Sequence, residues 1–217
     1  SSFFEISRKY GPSLITGLGR LNGHSVALIA NDCMYYAGAM TAAAAQKLRR
    51  FVDFCNSFHL PILSFVDEPG FMIGSKAESE ATIRHGTSAV LTAAMTTVPW
   101  ASIMVRRSFG VAQAAHYGPN SFVLAWPSAE SGALPVEGGV AVAFHREIAA
   151  ASDPEAKRKE LEEEFSKLQS PFPKAEAFAV HDLIDPRSTR AELCKWIKRV
   201  QPLLPSLLGS ASFTVRP

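Results

Sequence analysis

The chain has 217 residues, 47% of them hydrophobic, and its 22 Lys and Arg nearly balance its 20 Asp and Glu, leaving a formal net charge of +2. That size fits one compact domain with a sizeable core, and the scattered basic residues give no electrostatic case for nucleic acid or an anionic membrane. Cys33, Cys55 and Cys194 are too few and too far apart for a zinc motif or a stapled secreted framework, so a reducing compartment is expected. No stretch approaches the roughly 20 apolar residues of a membrane-spanning helix. The first residues lack the order of a secretory signal and begin in mid-pattern, as a domain cut from something longer would.

Leu14 to Leu21 reads as a strand, Asn22-Gly23 as a tight hairpin turn, and His24 to Asn31 as the returning strand. From about Met40 to Phe58, Leu48, Phe51, Val52, Cys55 and Phe58 recur at helical spacing, with Lys47, Arg49, Arg50 and Asp53 between them. Pro61 opens Ile62 to Val66, a short apolar run suited to a strand buried on both faces, which the turn-prone Asp67-Glu68-Pro69-Gly70 closes. The same unit returns as a helix from near Lys76 to Thr97 and a strand from Ala101 to Val105 that ends at Arg106-Arg107. A short helix from about Val111, a strand from Ser121 to Ala125 and a helix from about Val136 to Arg146 continue the α/β alternation. Ser152-Asp153-Pro154-Glu155 is a helix start with Pro at the first position, opening a charged helix through Glu164, and another helix spans Arg187 to Val200. Residues 1–206 are read as the domain and 207–217 as an irregular tail.

Arg106 to Gln113 runs from a buried strand through a Gly turn into a helix, leaving the helix's first amides unpaired and pointing outward. Such amides stabilise a transition state that gathers negative charge on oxygen, and losing one donor costs about 2.7–4 kcal/mol of activation free energy. Strand-Gly-helix junctions are common, however, and most only turn the chain. Asp67-Glu68-Pro69-Gly70-Phe71 also lies at the carboxyl end of a strand, where open α/β sheets place ligands; the plainer reading has Asp67 capping a turn and Phe71 packing inward. His85, early in its helix, reads as a polar residue satisfied at an element boundary in preference to a general base. The Glu162-Glu163-Glu164 run is a solvated helix face. No nucleophile elbow, His-Glu-x-x-His or glycine-rich phosphate loop is present in the sequence.

Taken in order, seven blocks resemble the acyl-CoA carboxyltransferases, specifically the C-terminal half of the propionyl-CoA carboxylase β-subunit type. They are Phe3 to Ile6, Gly19 to Gly23, Arg50 to Cys55, Asp67 to Phe71, Ile83 to Gly86, Ala125 to Glu130 and Leu183 to Arg187. The resemblance implies a crotonase (ClpP-like) fold of repeated β-β-α units with flanking C-terminal helices. It implies that this half receives carboxybiotin while an N-terminal carboxyltransferase domain holds the acyl-CoA, in active sites shared between protomers of a homo-oligomer. Biotin carboxylase and biotin carboxyl carrier components would be its other partners, and no metal is expected in this domain. The compartment is then the cytoplasm or the mitochondrial matrix.

A family Tyr-Gly-Gly-Ala-Tyr segment maps onto Phe109-Gly110-Val111-Ala112-Gln113, which makes the Val111 and Ala112 amides the implied oxyanion donors. Phe109, Gly110, Gln113 and Ala114, with Pro69, Gly70 and Phe71, are the implied lining for biotin and substrate. In the implied reaction the cofactor is itself the base that takes the acyl α-proton, so the protein orients two substrates and stabilises oxyanions. Val111 replaces a Gly, harmless in a helical conformation and damaging at positive φ. Ala114 stands where propionyl-type enzymes carry an Asp, Leu134-Pro135-Val136 replaces a Met-Gly-Ala stretch, and the segment from Ala112 to Trp126 is shorter than the family usually has. Two alternatives stay open: a decarboxylase using the same amides, and a non-catalytic paralogue kept as a structural partner.

Overall fold

The first strand, β1 (Phe4–Ile6), pairs antiparallel with β2 (Leu14–Leu21), which pairs antiparallel with β3 (His24–Asn31) from Leu14↔Asn31 to Leu21↔His24. Asn22 and Gly23 close this hairpin with φ of 50° and 85°, the two positive values that a right-twisted two-residue turn requires. The computed structural model describes residues 2–209.

Helix α1 (Ala42–Ser57) starts where the Thr41 hydroxyl accepts from the Ala44 amide at 3.1 Å, satisfying one of the orphan donors of a helix start. It leads to β4 (Ile62–Glu68), then α2 (Ser75–Ser79), α3 (Thr82–Ala94) and the long strand β5 (Trp100–Phe109). A 3-10 helix at Ala112–His116 precedes β6 (Phe122–Ala125) and β7 (Glu130–Gly132). Helices α4 (Val136–Ala143), α5 (His145–Ala150), α6 (Pro154–Gln169) and α7 (Pro171–Glu176) follow, then β8 (Asp182–Leu183), α8 (Thr189–Val200) and a last 3-10 helix at Gln201–Leu207.

The strands form one sheet in the order β1-β2-β3-β4-β5-β6-β8, parallel from β3 onward. β5 is long enough to take two partners in succession: β6 along Ala101 to Met104, then β7 along Arg107 to Phe109. On one face α1 and α3 bury Leu48, Val52, Cys55, Ala89 and Ala93 against Leu14, Ile29, Ile62 and Trp100. On the other, Leu193, Trp196 and Ile197 of α8 cover Val26, Leu63, Ile103 and Leu124. The central strands are therefore sealed on both sides, and burying each large apolar side chain is worth about 1.5–3 kcal/mol.

Several expectations are corrected. The helix read from Lys76 to Thr97 is two helices, because Ala81 takes a left-handed φ of 55° between α2 and α3, and it stops at Ala94. The helix read from Val136 to Arg146 likewise breaks at Phe144, whose φ of −110° separates α4 from α5. Periodicity of apolar residues continues through both breaks and does not report them. The Ile62 strand extends through Asp67 and Glu68, and β5 continues beyond Arg107 to Phe109. Two carboxylates tie these extensions to their neighbours, as described below. The Ala-rich start of α1 packs inside the domain, with Ala42, Ala44 and Ala45 buried. Strands β1, β7 and β8 and helix α7 are too short to show a period. Asp153 accepts from the Ala156 amide at 3.0 Å with Pro154 behind it, the start expected for the charged helix. Of the irregular tail, Leu207 closes a 3-10 helix and residues 210–217 lie outside the described residues. Among the described residues no helix is long and apolar enough to cross a membrane.

Candidate active site

β4, β5 and β7 end side by side at one edge of the sheet, with Glu68 in register with Ser108 and Ser108 with Ser131. The backbone leaving each strand end therefore converges on the place where an open parallel sheet holds its ligands. Asp67 does not cap a turn. Its carboxylate accepts from Arg106 Nε at 3.1 Å, Arg106 Nη2 at 2.9 Å and the Arg107 amide at 3.1 Å, a forked pairing that fastens β5 to β4 beyond the register shift between Val66 and Glu68. This carboxylate holds the Arg106 guanidinium above its ordinary value.

Beyond Glu68 the chain turns through Pro69 and Gly70 to Phe71, which forms a parallel bridge with Met40. The Met40 amide donates to Gly70 O at 3.0 Å and the Met72 amide to Met40 O at 2.9 Å. Phe71 packs inward, as read, and Gly86 of α3 makes room for it: a Cβ at Gly86 would lie 2.2 Å from the Phe71 ring. His85 is not satisfied as expected, since among the described residues its Nδ1 has no hydrogen-bond partner.

At the end of β5, Phe109 is buried and Gly110 turns with φ +64° while its amide donates to Gly132 O at 3.0 Å. Val111 then takes φ −72°, ψ −28°, ordinary right-handed helical values that any residue adopts. The glycine is needed at position 110, and Val111 is unstrained. Among the described residues, neither the Val111 nor the Ala112 amide donates to a backbone carbonyl outside its own helix. Val111 is 67% exposed, Ala112 is buried and Ala114 is exposed. Gln113 Oε1 accepts from Ser108 Oγ at 2.7 Å, and Ser108 Oγ lies 2.9 Å from Tyr117 OH. Burial pushes the Tyr117 phenol up to about 12, with the Ser108 contact opposing.

Leu134 and Pro135 lie along the next wall, where Pro135 forms the N-cap of α4 at φ −57°. A crevice of about 400 Å³ opens there, lined by Gly132, Ala133, Val140, Phe144, Phe165 and Leu168 among others. Lys174 Nζ donates to Ser131 O and to Gln169 O, and Gln169 Nε2 to Leu134 O, so the polar groups of this wall are committed to backbone. Burial depresses the Lys174 ammonium.

The sequence reading missed a buried polar cluster directly behind these strand ends. Glu68 and His116 are both 0% exposed. Glu68 Oε1 accepts from the Gly70 amide at 3.0 Å, and Oε2 accepts from Asn31 Nδ2 at 3.0 Å and lies 3.3 Å from His116 Nε2. His116 Nδ1 lies 3.0 Å from Ser64 Oγ, while His116 O accepts from Ser102 Oγ at 2.7 Å. A signal for it exists: Ser64 and Ser102 interrupt apolar strands sealed on both faces, and a buried hydroxyl needs a partner. Among the described residues, no group of three or more His, Cys, Asp or Glu comes together as a metal site would need.

A sheet of this topology, with helix-start amides presented at the ends of its parallel strands, belongs to the crotonase-like class. The chain is 31% identical to a transcarboxylase 12S structure, with a TM-score of 0.85 over 99% of this chain and 41% of that one. The same fold recurs at 20% identity and a TM-score of 0.82 in the β subunit of P. aeruginosa geranyl-CoA carboxylase. The chain belongs to the carboxyl transferase domain family, whose model matches residues 1–200. Relatives include the carboxyltransferase subunit of propionyl-CoA carboxylase from Haloferax mediterranei, 38% identical over 197 residues, which cover 88% of this chain and 38% of that protein. The 12S subunit of methylmalonyl-CoA carboxyltransferase from Propionibacterium freudenreichii subsp. shermanii is 35% identical over 195 residues, 88% of this chain and 37% of that protein. The chain thus spans under two fifths of these relatives' length.

Proposed function

We propose that this chain is the biotin side of an acyl-CoA carboxyltransferase, one half of a site whose other half, an N-terminal carboxyltransferase domain, holds the acyl-CoA. The observation that carries this reading is the turn after β5: Gly110 takes the left-handed conformation, Val111 is helical, and among the described residues the Val111 and Ala112 amides donate to no backbone carbonyl outside their helix. A biotin ureido oxygen fits this donor set, since preset amides stabilise charge on oxygen without reorganising. Carboxybiotin, when bound, supplies both the carboxyl group and the base. The chain's own part is to hold the ureido oxygen at the Val111 and Ala112 amides, with Phe109, Gly110, Gln113 and Ala114 shaping one wall and Pro69, Gly70 and Phe71 the other.

Acyl-CoA as the second substrate is supported by the transcarboxylase 12S relative, solved with methylmalonyl-coenzyme A bound as a hexamer assembly. Biotin carboxylase, a biotin carboxyl carrier and further copies of the chain would complete the machine, in the cytoplasm or the mitochondrial matrix. The unstrained Val111 weighs against a decayed, purely structural paralogue. The test is carboxyl transfer between malonyl-type CoA esters and free biotin, with the companion half supplied. Turnover is expected; its absence with every acyl-CoA tried would remove both the carboxylase and the decarboxylase readings.

A further inference from the structure

We propose that Glu68 and His116 form a positioning pair that clamps the Phe109–Ala112 turn against the Pro69–Gly70 loop; the inference rests on the reading of that turn as the reactive one. The 3-10 helix after the turn has five residues, too few to hold its own place, because short helices are marginal without tertiary anchors. Its anchors are on the page. At its far end His116 is held through Nδ1 by Ser64, through Nε2 by Glu68 and through its carbonyl by Ser102. At the near end Ser108, the residue before Phe109, is in ladder register with Glu68 itself. Both ends of the segment that carries Val111 and Ala112 are therefore fastened to one residue.

The same carboxylate reaches the other wall, since its Oε1 accepts from the Gly70 amide and its Oε2 from Asn31 Nδ2. Asn31 extends the brace: its Nδ2 also donates to Gly38 O at 3.1 Å and its Oδ1 accepts from the Asp67 amide at 3.1 Å. With the Gly70 amide and Asn31 Nδ2 already donating to it, the carboxyl group acts as acceptor, which assigns the ring proton of His116 to Nε2 and leaves Nδ1 to accept from the Ser64 hydroxyl. A fully buried ionisable pair is an expensive core filler. What the pair adds is a fixed geometry between two backbone segments.

Two variants in the carboxyltransferase assembled with its companion half test this, read by amide hydrogen exchange and by steady-state kinetics. Glu68→Gln keeps the shape but points an NH2 group at donors. It is expected to speed exchange about tenfold or more in residues 109–117 and 69–73, leaving α8 and the turn end of the β2–β3 hairpin around Asn22-Gly23 unchanged, and to lower kcat about tenfold with KM for acyl-CoA within about twofold. The double variant Glu68→Leu/His116→Leu leaves no buried charge unpaired but takes the partners of the Gly70 amide and the Ser64 hydroxyl away, so it is expected to melt below the wild-type temperature, still in one cooperative transition, while the turn stays loose and kcat stays low. Wild-type exchange at the turn together with wild-type kcat in the double variant overturns the proposal. A rise in exchange spread evenly over the domain overturns it as well. If the wild-type assembly transfers no carboxyl group, the functional reading fails, and the exchange measurement still decides the clamp.

Discussion

Gly110→Ala isolates backbone conformation from space. A Cβ at Gly110 would lie 3.6 Å from Ala133 O, an ordinary contact, so sterics outside the residue cost nothing. The cost comes from φ +64°, where an L-residue loses roughly 1–2 kcal/mol relative to its preferred regions, offset by a few tenths to about 1 kcal/mol from the less flexible unfolded chain. A net loss of about 1 kcal/mol lowers the melting temperature of a domain this size by about 2–4 °C. Asn tolerates left-handed values, so Gly110→Asn is expected to lose less than half as much. The assay is thermal and urea unfolding of the three proteins side by side, with carboxyl transfer measured on each. An Ala variant as stable as the wild type, or an Asn variant no better than the Ala variant, would refute the assignment of strain to this residue.

Gly86→Ala is expected to be worse, because its Cβ would meet the Phe71 ring at 2.2 Å and displace either α3 or the 69–71 loop; overpacking of this kind costs about 1–3 kcal/mol, read by urea unfolding, and Phe71→Leu in the same chain should recover part of it. Among the three cysteines, Cys33 is exposed while Cys55 is buried and its thiol is pushed up by burial. A thiol reagent at neutral pH is therefore expected to modify Cys33 within minutes and Cys55 only on unfolding, since the thiolate is the nucleophile; peptide mapping that finds Cys55 labelled in the folded protein would contradict the packing of α1.

Much of the fold is legible in the sequence because its signals are local. Asn22-Gly23 specifies a hairpin whatever surrounds it, and the α1 stripe of Leu48, Phe51, Val52 and Cys55 specifies a buried helix face. What was not legible depends on contacts distant in sequence. The left-handed Ala81 leaves the apolar period intact while breaking the helix. The last residues of β4 look like a turn because of Pro69-Gly70, and the pairing of Glu68 with Ser108 and the Asp67 bonds to Arg106 and Arg107 keep them in the sheet. The turn after β5 was legible as a Gly-to-helix junction, although no local signal decides which residue takes positive φ; the structure assigns it to Gly110 and frees Val111 of strain. Glu68 and His116 stand 48 positions apart, one beside a turn and one in a helix too short to have a period, so nothing in either neighbourhood announces the pair.

The most direct test of the central claim deletes one amide hydrogen and little else. Val111 has φ −72° and an exposed side chain, which a proline ring matches, and the residue before it is a glycine, which lacks the Cβ part of the clash with the ring and leaves only its N–H beside it. Val111→Pro, with Val111→Ala as the control that keeps the amide, should be assayed for carboxyl transfer in the assembled enzyme. The account predicts a kcat lower by about 10²–10³ for the proline variant, a near wild-type rate for the alanine variant, and similar melting temperatures for both. A proline variant that transfers carboxyl groups at the wild-type rate would contradict it.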